Sequence, residues 1–231
     1  VLFGNYAGDN MNVKMAVQMA EDDDIEVKYV VANDDVASAP KAVKEQRHGI
    51  AGGFFMWKVG GARAAKGGSL DDVIASAQNV VNRTKSICVG LEPCVIPALG
   101  HSNFKIEDGT MEFGVGHHGE AGTKVEKLKS ASEMAQEMAE TILNDFDFEE
   151  GKEVAVMLSS LGATPVMELY VLYDEVEKVL AKAGHKVWKT YIGNYVTSLD
   201  MNGASLTIVD LDDEIKELLS EPAVPIGMKN Y

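Results

Sequence analysis

The sequence predicts an α/β protein arranged in two lobes. Short apolar runs alternate with stretches whose apolar residues recur at helical spacing, the pattern of strands covered by helices. At 231 residues and 46% hydrophobic content, the chain can bury one or two cores. Its 22 glycines against 6 prolines suit many tight turns rather than long linkers.

The elements follow in order. Residues 1–3 are apolar and read as the tail of a buried strand. Residues 4–10 form a turn, after which Met11, Ala16, Val17 and Ala20 recur at helical spacing with Asn10 as cap. The acidic run at 21–24 is a solvated helix end, residues 25–31 read as a strand, and Asn33-Asp34-Asp35 is an acidic turn. A helical stretch covers 50–66, with glycines on one face for close packing. Ser69 caps a further helix, with Asp72 in the reciprocal position three residues on, and that helix ends near Thr84. Residues 86–91 are a second buried strand, and the lobe boundary is placed there, giving lobes 1–87 and 88–231. The glycine-dense stretch 109–122 reads as loop and 130–146 as an amphipathic helix. Then come a strand at 154–158, a helix at 165–183 with Pro165 in its first turn, strands at 186–192 and 205–210, and a short helix at 212–219.

Composition excludes several functions. A formal net charge of −15 argues against nucleic acid or an anionic membrane surface as partner, since both bind clustered Lys and Arg. Cys88 and Cys94 are too few for a disulfide framework and lack a zinc spacing, so they are expected to be buried, reduced thiols of a cytoplasmic protein. No apolar run approaches the roughly 18 residues needed to cross a bilayer. No signal-peptide pattern opens the chain. Because an isolated strand has no partner for its backbone groups, a start at Val1-Leu2-Phe3 leads us to expect a segment upstream.

Three constellations could carry chemistry. Gly4-Asn5-Tyr6-Ala7-Gly8-Asp9 lies between a strand and a helix, where α/β folds converge free backbone N–H groups on a ligand. No Gly-Lys-Ser/Thr follows, so it is not a Walker loop, and Asp9 alone reads as a turn or capping residue. The second is the stretch 111–120, holding Glu112, His117, His118 and Glu120 among glycines. Adjacent histidines on extended backbone point apart and chelate poorly, while the glycines bring something close to one imidazole. Nucleophile or base, metal ligand and ordinary loop histidine stay equally open for His118. The third pairs Ser160-Leu161-Gly162-Ala163-Thr164-Pro165 with Thr197-Ser198-Leu199-Asp200-Met201-Asn202-Gly203, for which turn and cap duty suffices.

Taken together, these segments resemble the dihydroxyacetone kinase family, specifically its substrate-binding K-type subunit. The resemblance also rests on Asp34-Asp35-Val36-Ala37, Arg47-His48-Gly49-Ile50-Ala51-Gly52 and Glu168-Leu169-Tyr170, all in the family's order along nearly the whole chain. It implies two α/β lobes, each a β-sheet flanked by helices, here without the family's N-terminal segment. It implies that His118 adds to the ketone carbon of dihydroxyacetone or a similar short ketose as a hemiaminal. Asp9 then accepts the proton of the terminal hydroxyl, and Gly4, where many relatives carry a lysine, lies beside the substrate. His117 stands in place of the usual aliphatic residue and Ala121 in place of a common proline. The family's second catalytic histidine belongs to a Gly-His-Glu-Pro loop upstream of the first residue here. No metal or cofactor is expected on this chain. ADP or ATP with magnesium is expected on a nucleotide-binding L-type partner subunit, and the K-type subunit itself is expected to be a homodimer. A non-catalytic ketose sensor that co-regulates a transcription factor is the alternative.

Overall fold

The structure, a computed structural model, describes residues 1–102, 104–147 and 151–225. Strand β1 (Leu2–Gly4) pairs in parallel with β2 (Val30–Ala32), and helix α1 (Ala7–Asp22) connects them. Helix α2 (Gly53–Ala65) and helix α3 (Leu70–Asn82) then lead into β3 (Thr84–Glu92). After them come β4 (Thr110–Phe113), β5 (Lys124–Lys127), α4 (Ala131–Asp145), β6 (Glu153–Ser160), α5 (Val166–Lys182), β7 (Lys186–Gly193), β8 (Asn202–Asp210) and α6 (Asp213–Ser220).

The six later strands form one mixed sheet in the order β5-β4-β3-β8-β6-β7. Its centre reads as unbroken apolar runs because both faces are covered. On one face, α4 buries Ala135, Met138, Ala139 and Ile142, and α5 buries Leu169, Leu172, Val176 and Leu180. These recur at three- and four-residue steps, the spacing of one helical face. They close on Val154, Val156, Leu158, Leu206 and Ile208 of β6 and β8. On the other face, α2, α3 and α6 close over Ala155, Met157, Tyr191 and Val209. Burying each large aliphatic side chain contributes roughly 1.5–3 kcal/mol.

The helix starts are chemically set. Ser69 and Asp72 form a reciprocal capping box at α3, and Ser130 and Glu133 form another at α4. Helix α2 has no cap of its own, and Asp34 supplies one from elsewhere in the chain. Its carboxylate accepts from the Ile50 N–H at 3.1 Å and the Gly52 N–H at 2.7 Å. Asp34 and Asp35 therefore do form a turn, but a buried one, 2% exposed at each residue. It is stitched to β3 by Ser86 N–H to Asp34 O and Val36 N–H to Ser86 O.

Three expectations are corrected. Helix α1 begins at Ala7, so Asn10 is inside it and donates to Asn5 Oδ1 and Tyr6 O instead of capping. Strand β2 is only three residues, with 25–29 in irregular backbone. Within 109–122, β4 pairs with both β3 and β5. A 3-10 turn at Lys41–Gln46 and strand β5 had no counterpart in the sequence reading. The position 87/88 lies within β3, whose register with β8 runs from Thr84↔Val209 through a bulge after Gly90 to Glu92↔Asn202. Helix α1 buries no residue and leaves Met11, Met15 and Met19 exposed.

Candidate functional site

The candidate site lies where three distant segments meet: the turn after β1, the loop before the 3-10 turn's successor α2, and the loop 114–123 between β4 and β5. The last loop turns back on itself through Gly116 N–H to Glu120 O at 2.8 Å. Gly116 is required there, because a Cβ would sit 2.6 Å from the Glu120 Cβ. Glu120 folds beneath the loop and accepts from the His118 backbone N–H at 2.8 Å, while its other oxygen faces His118 Nδ1 at 3.4 Å. Burial works to raise the Glu120 carboxyl. Backbone N–H donors and the neighbouring His118 and His48 outweigh it and hold the group below its ordinary value.

His118 itself is 60% exposed at its side chain and lines a pocket of about 430 Å³. Cys94, Ile96, His117, Thr197, Ser198 and Leu199 complete the lining. The two adjacent histidines do not diverge as extended backbone would require. They sit in a turn with ring centroids 5.8 Å apart, and both line the pocket. His117 bonds to the Thr197 backbone, and burial first, with the neighbouring His118 second, lowers its pKa below the ordinary imidazole value. Among the described residues, no group of three or more His, Cys, Asp or Glu could hold a metal ion.

Thr197 to Leu199, expected to serve as turn and cap residues, are held by loop-to-strand bonds, and helix α5 has no side-chain cap. Ser198 N–H donates to Leu161 O at 2.7 Å, and Thr164 Oγ1 bonds Gly203 O at 2.7 Å. The same residues also form the pocket wall, so the second and third constellations are one place in space. Leu199 holds φ +54°, and a Cβ on Gly162 (φ +136°) would collide with the Leu199 carbonyl.

The turn after β1 completes the arrangement. Gly4 packs against Gly49, where a Cβ would meet the Gly49 carbonyl at 3.1 Å. Asn5 ties the turn to the neighbouring loop by donating from Nδ2 to Arg47 O at 2.7 Å and Glu45 O at 3.0 Å. Arg47 is fixed in turn by two 2.7 Å bonds to the Asp145 carboxylate and one to Ala39 O. Asp9 lies exposed in the first turn of α1, one helical turn from Tyr6. Tyr6 and His48 escaped the sequence reading as site residues. Yet the Tyr6 ring touches His118 edge-on at 4.4 Å between centroids and stacks on His48 at 4.9 Å. Both lie inside the motifs noted above, but contacts between segments so far apart leave no local signal.

A model of the Dak1 domain matches residues 1–226. The chain is 40% identical over 210 residues to the PTS-dependent dihydroxyacetone kinase 1 dihydroxyacetone-binding subunit DhaK of Listeria innocua serovar 6a, covering 91% of this chain and 64% of that protein. It thus spans less than two thirds of that relative's length. It is 37% identical over 220 residues to the D-erythrulose kinase of Mycolicibacterium smegmatis, covering 95% of this chain and 38% of that protein. Among solved structures, the dihydroxyacetone kinase operon co-activator Dha-DhaQ superposes with a TM-score of 0.90 at 28% identity, over 96% of this chain and 69% of that one.

Proposed function

The chain belongs to the Dak1-domain family, and from that premise we propose that it is the ketose-holding subunit of a dihydroxyacetone kinase. His118 binds dihydroxyacetone or a similar short ketose as a hemiaminal. The observation that carries this reading is the pairing of the pocket-lining His118 with Glu120, its Nδ1 facing the carboxylate at 3.4 Å. A proton held on Nδ1 leaves the lone pair on Nε2, the nitrogen free to attack a ketone carbon. The C–N bond forms as the carbonyl π pair moves to oxygen. The Nδ1 proton, released toward Glu120, balances the proton that the new hydroxyl gains. Glycerol has no carbonyl and is rejected.

Asp9, exposed on the first turn of α1, takes the proton of the terminal hydroxyl as that oxygen attacks phosphorus. Gly4 keeps the turn beside it free of a side chain. The nucleotide, ADP or ATP with magnesium, belongs to a separate L-type subunit. The working form is a cytoplasmic homodimer, and no helix of the described residues is long and apolar enough to cross a membrane. The likeness to a co-activator favours a second reading, in which the same pocket senses the ketose without transferring phosphate. A sensor needs His118 but not Asp9.

The test is intact-protein mass spectrometry after incubation with dihydroxyacetone and borohydride, backed by a crystal soak read at His118. An adduct in the wild type that disappears in His118→Ala supports the reading. A folded protein giving no adduct by either method overturns it. Adding a nucleotide-loaded L-type subunit then separates kinase from sensor: turnover abolished by Asp9→Asn, with the adduct intact, marks the kinase.

A further inference from the structure

A nucleophilic imidazole works only if one nitrogen is aimed consistently, and an exposed histidine side chain has two free torsions with which to lose that aim. The Glu120 contact alone does not settle the matter, since at 3.4 Å it constrains one nitrogen and leaves the ring plane free to tilt. The second constraint comes from Tyr6. Its ring meets the His118 ring edge-on, with centroids 4.4 Å apart and planes at 61°. That ring is itself held from its other side by His48, stacked at 4.9 Å and 19°. His48 follows Arg47, whose guanidinium is bound bidentately to Asp145 at the end of α4. A run of contacts therefore leads from the rigid sheet-and-helix core to one face of the exposed imidazole.

The Tyr6 hydroxyl does something different. It is sealed from solvent and finds no hydrogen-bond partner among the described residues. Burial first, then the negative charge of Glu120 and of the Asp34–Asp35 turn, pushes its pKa far up, so it stays a neutral phenol. An enclosed hydroxyl without a partner is a cost rather than a contact. What the site uses is the ring.

We propose that Tyr6 is a positioning residue for His118: its ring, wedged between His48 and His118, fixes the imidazole plane so that Nδ1 faces Glu120 and Nε2 faces the ligand, while its hydroxyl is expendable. The assignment of Nε2 as the attacking nitrogen rests on the ketose-binding reading above. The wedge itself rests only on the ring geometry. Tyr6 touches neither ketose nor phosphate and acts through His118 alone.

Long-range proton–nitrogen spectra of the ligand-free protein, labelled at histidine, report the His118 tautomer without any ketose. Wild type shows one dominant tautomer, protonated at Nδ1, together with nuclear Overhauser contacts between Tyr6 ring protons and His118 ring protons. Tyr6→Phe keeps both signatures, retains the adduct formed with dihydroxyacetone, and melts no lower than wild type because an unpartnered hydroxyl has gone. Tyr6→Leu, which keeps apolar bulk but no aromatic edge, mixes the two tautomers and slows adduct formation roughly tenfold or more. Absence of the ring-to-ring contacts in the wild type overturns the proposal, and that measurement needs no variant to fold. So does a Tyr6→Leu protein with an unchanged tautomer and unchanged adduct rate, or a Tyr6→Phe protein that fails like Tyr6→Leu. If wild type shows the tautomer and contacts but forms no adduct, the ketose reading fails and the wedge stands.

Discussion

Replacing Asp35 by asparagine should make the protein more stable, and by an amount that grows with pH. Asp35 is 2% exposed, and burial pushes its carboxyl from an ordinary 3.8 up to about 7. The Ala37 N–H at 3.0 Å and the nearby Arg47 charge oppose the rise without cancelling it. Between about pH 4 and pH 7 the unfolded chain carries this carboxyl ionised while the native state keeps its proton. The native state then binds more protons, so stability falls with rising pH by about 1.4 kcal/mol per pH unit. Over roughly three pH units this accumulates to about 4 kcal/mol, an upper figure for a site that can relax. Below the unfolded value both states are protonated and the cost vanishes. Asparagine keeps Oδ1 for the Ala37 N–H and has no proton to lose, so it removes the slope. Urea denaturation of both proteins, from about pH 4.5 to 8, measures the gap. A constant offset from the new amide hydrogens does not affect the test. A gap that fails to widen across that interval would refute the argument that Asp35 is held protonated by burial.

Three further outcomes are expected. Asp145→Ala strands the Arg47 guanidinium, 2% exposed at its side chain, and should cost about 3–5 kcal/mol by urea melts. Burial pushes the Asp145 carboxyl up, yet the Arg47 bonds and charge outweigh it and hold the group below its ordinary value. The pair's contribution is therefore full above the ordinary carboxylate range and lost as pH falls through the depressed value. Gly162→Ala forces an L side chain at φ +136° against the Leu199 carbonyl, and should cost about 2 kcal/mol or more and, on the function proposed above, weaken adduct formation with dihydroxyacetone. A calorimetric melt indistinguishable from wild type would contradict that. Ser130→Ala removes one half of the α4 capping box and should cost about 1 kcal/mol, read from the shift in urea midpoint.

The sequence disclosed most where local chemistry decides structure. Ser69 with Asp72 and Ser130 with Glu133 announce helix starts because the capping bonds join residues three apart. The buried strands β3, β6 and β8 were legible because their apolar runs need cover on both faces. Strand β4 was hidden because four residues, Thr110–Phe113, sit among glycines, and only pairing with β3 and β5 makes them a strand. The start of α1 was misplaced because Gly8, Asp9 and Asn10 favour turns, whereas Asn5 and the β1–β2 pairing hold this backbone helical from Ala7. The stretches that hold His118 and Asp9 stood out through their motifs, and the roles expected of the two came from the family resemblance alone. Tyr6 and His48 did not stand out, because their importance lies in ring contacts among segments separated by dozens of residues. Asp34 and Asp35 looked like an ordinary acidic turn, since sequence does not reveal burial at a sheet edge.

The strand order of the large sheet also dictates when the protein can fold during its synthesis. The strand latest in chain order among the described residues, β8, lies between β3 and β6 and is hydrogen-bonded to both. Until residues 202–210 have left the ribosome, β3 with its partners and β6 with β7 are two separate ribbons, each with an open edge. The nascent chain therefore waits with its apolar faces half covered, and its productive collapse comes late. Chaperones that shield strand edges would act in that interval, and a pause in translation after β8 has emerged would help this chain more than one before it.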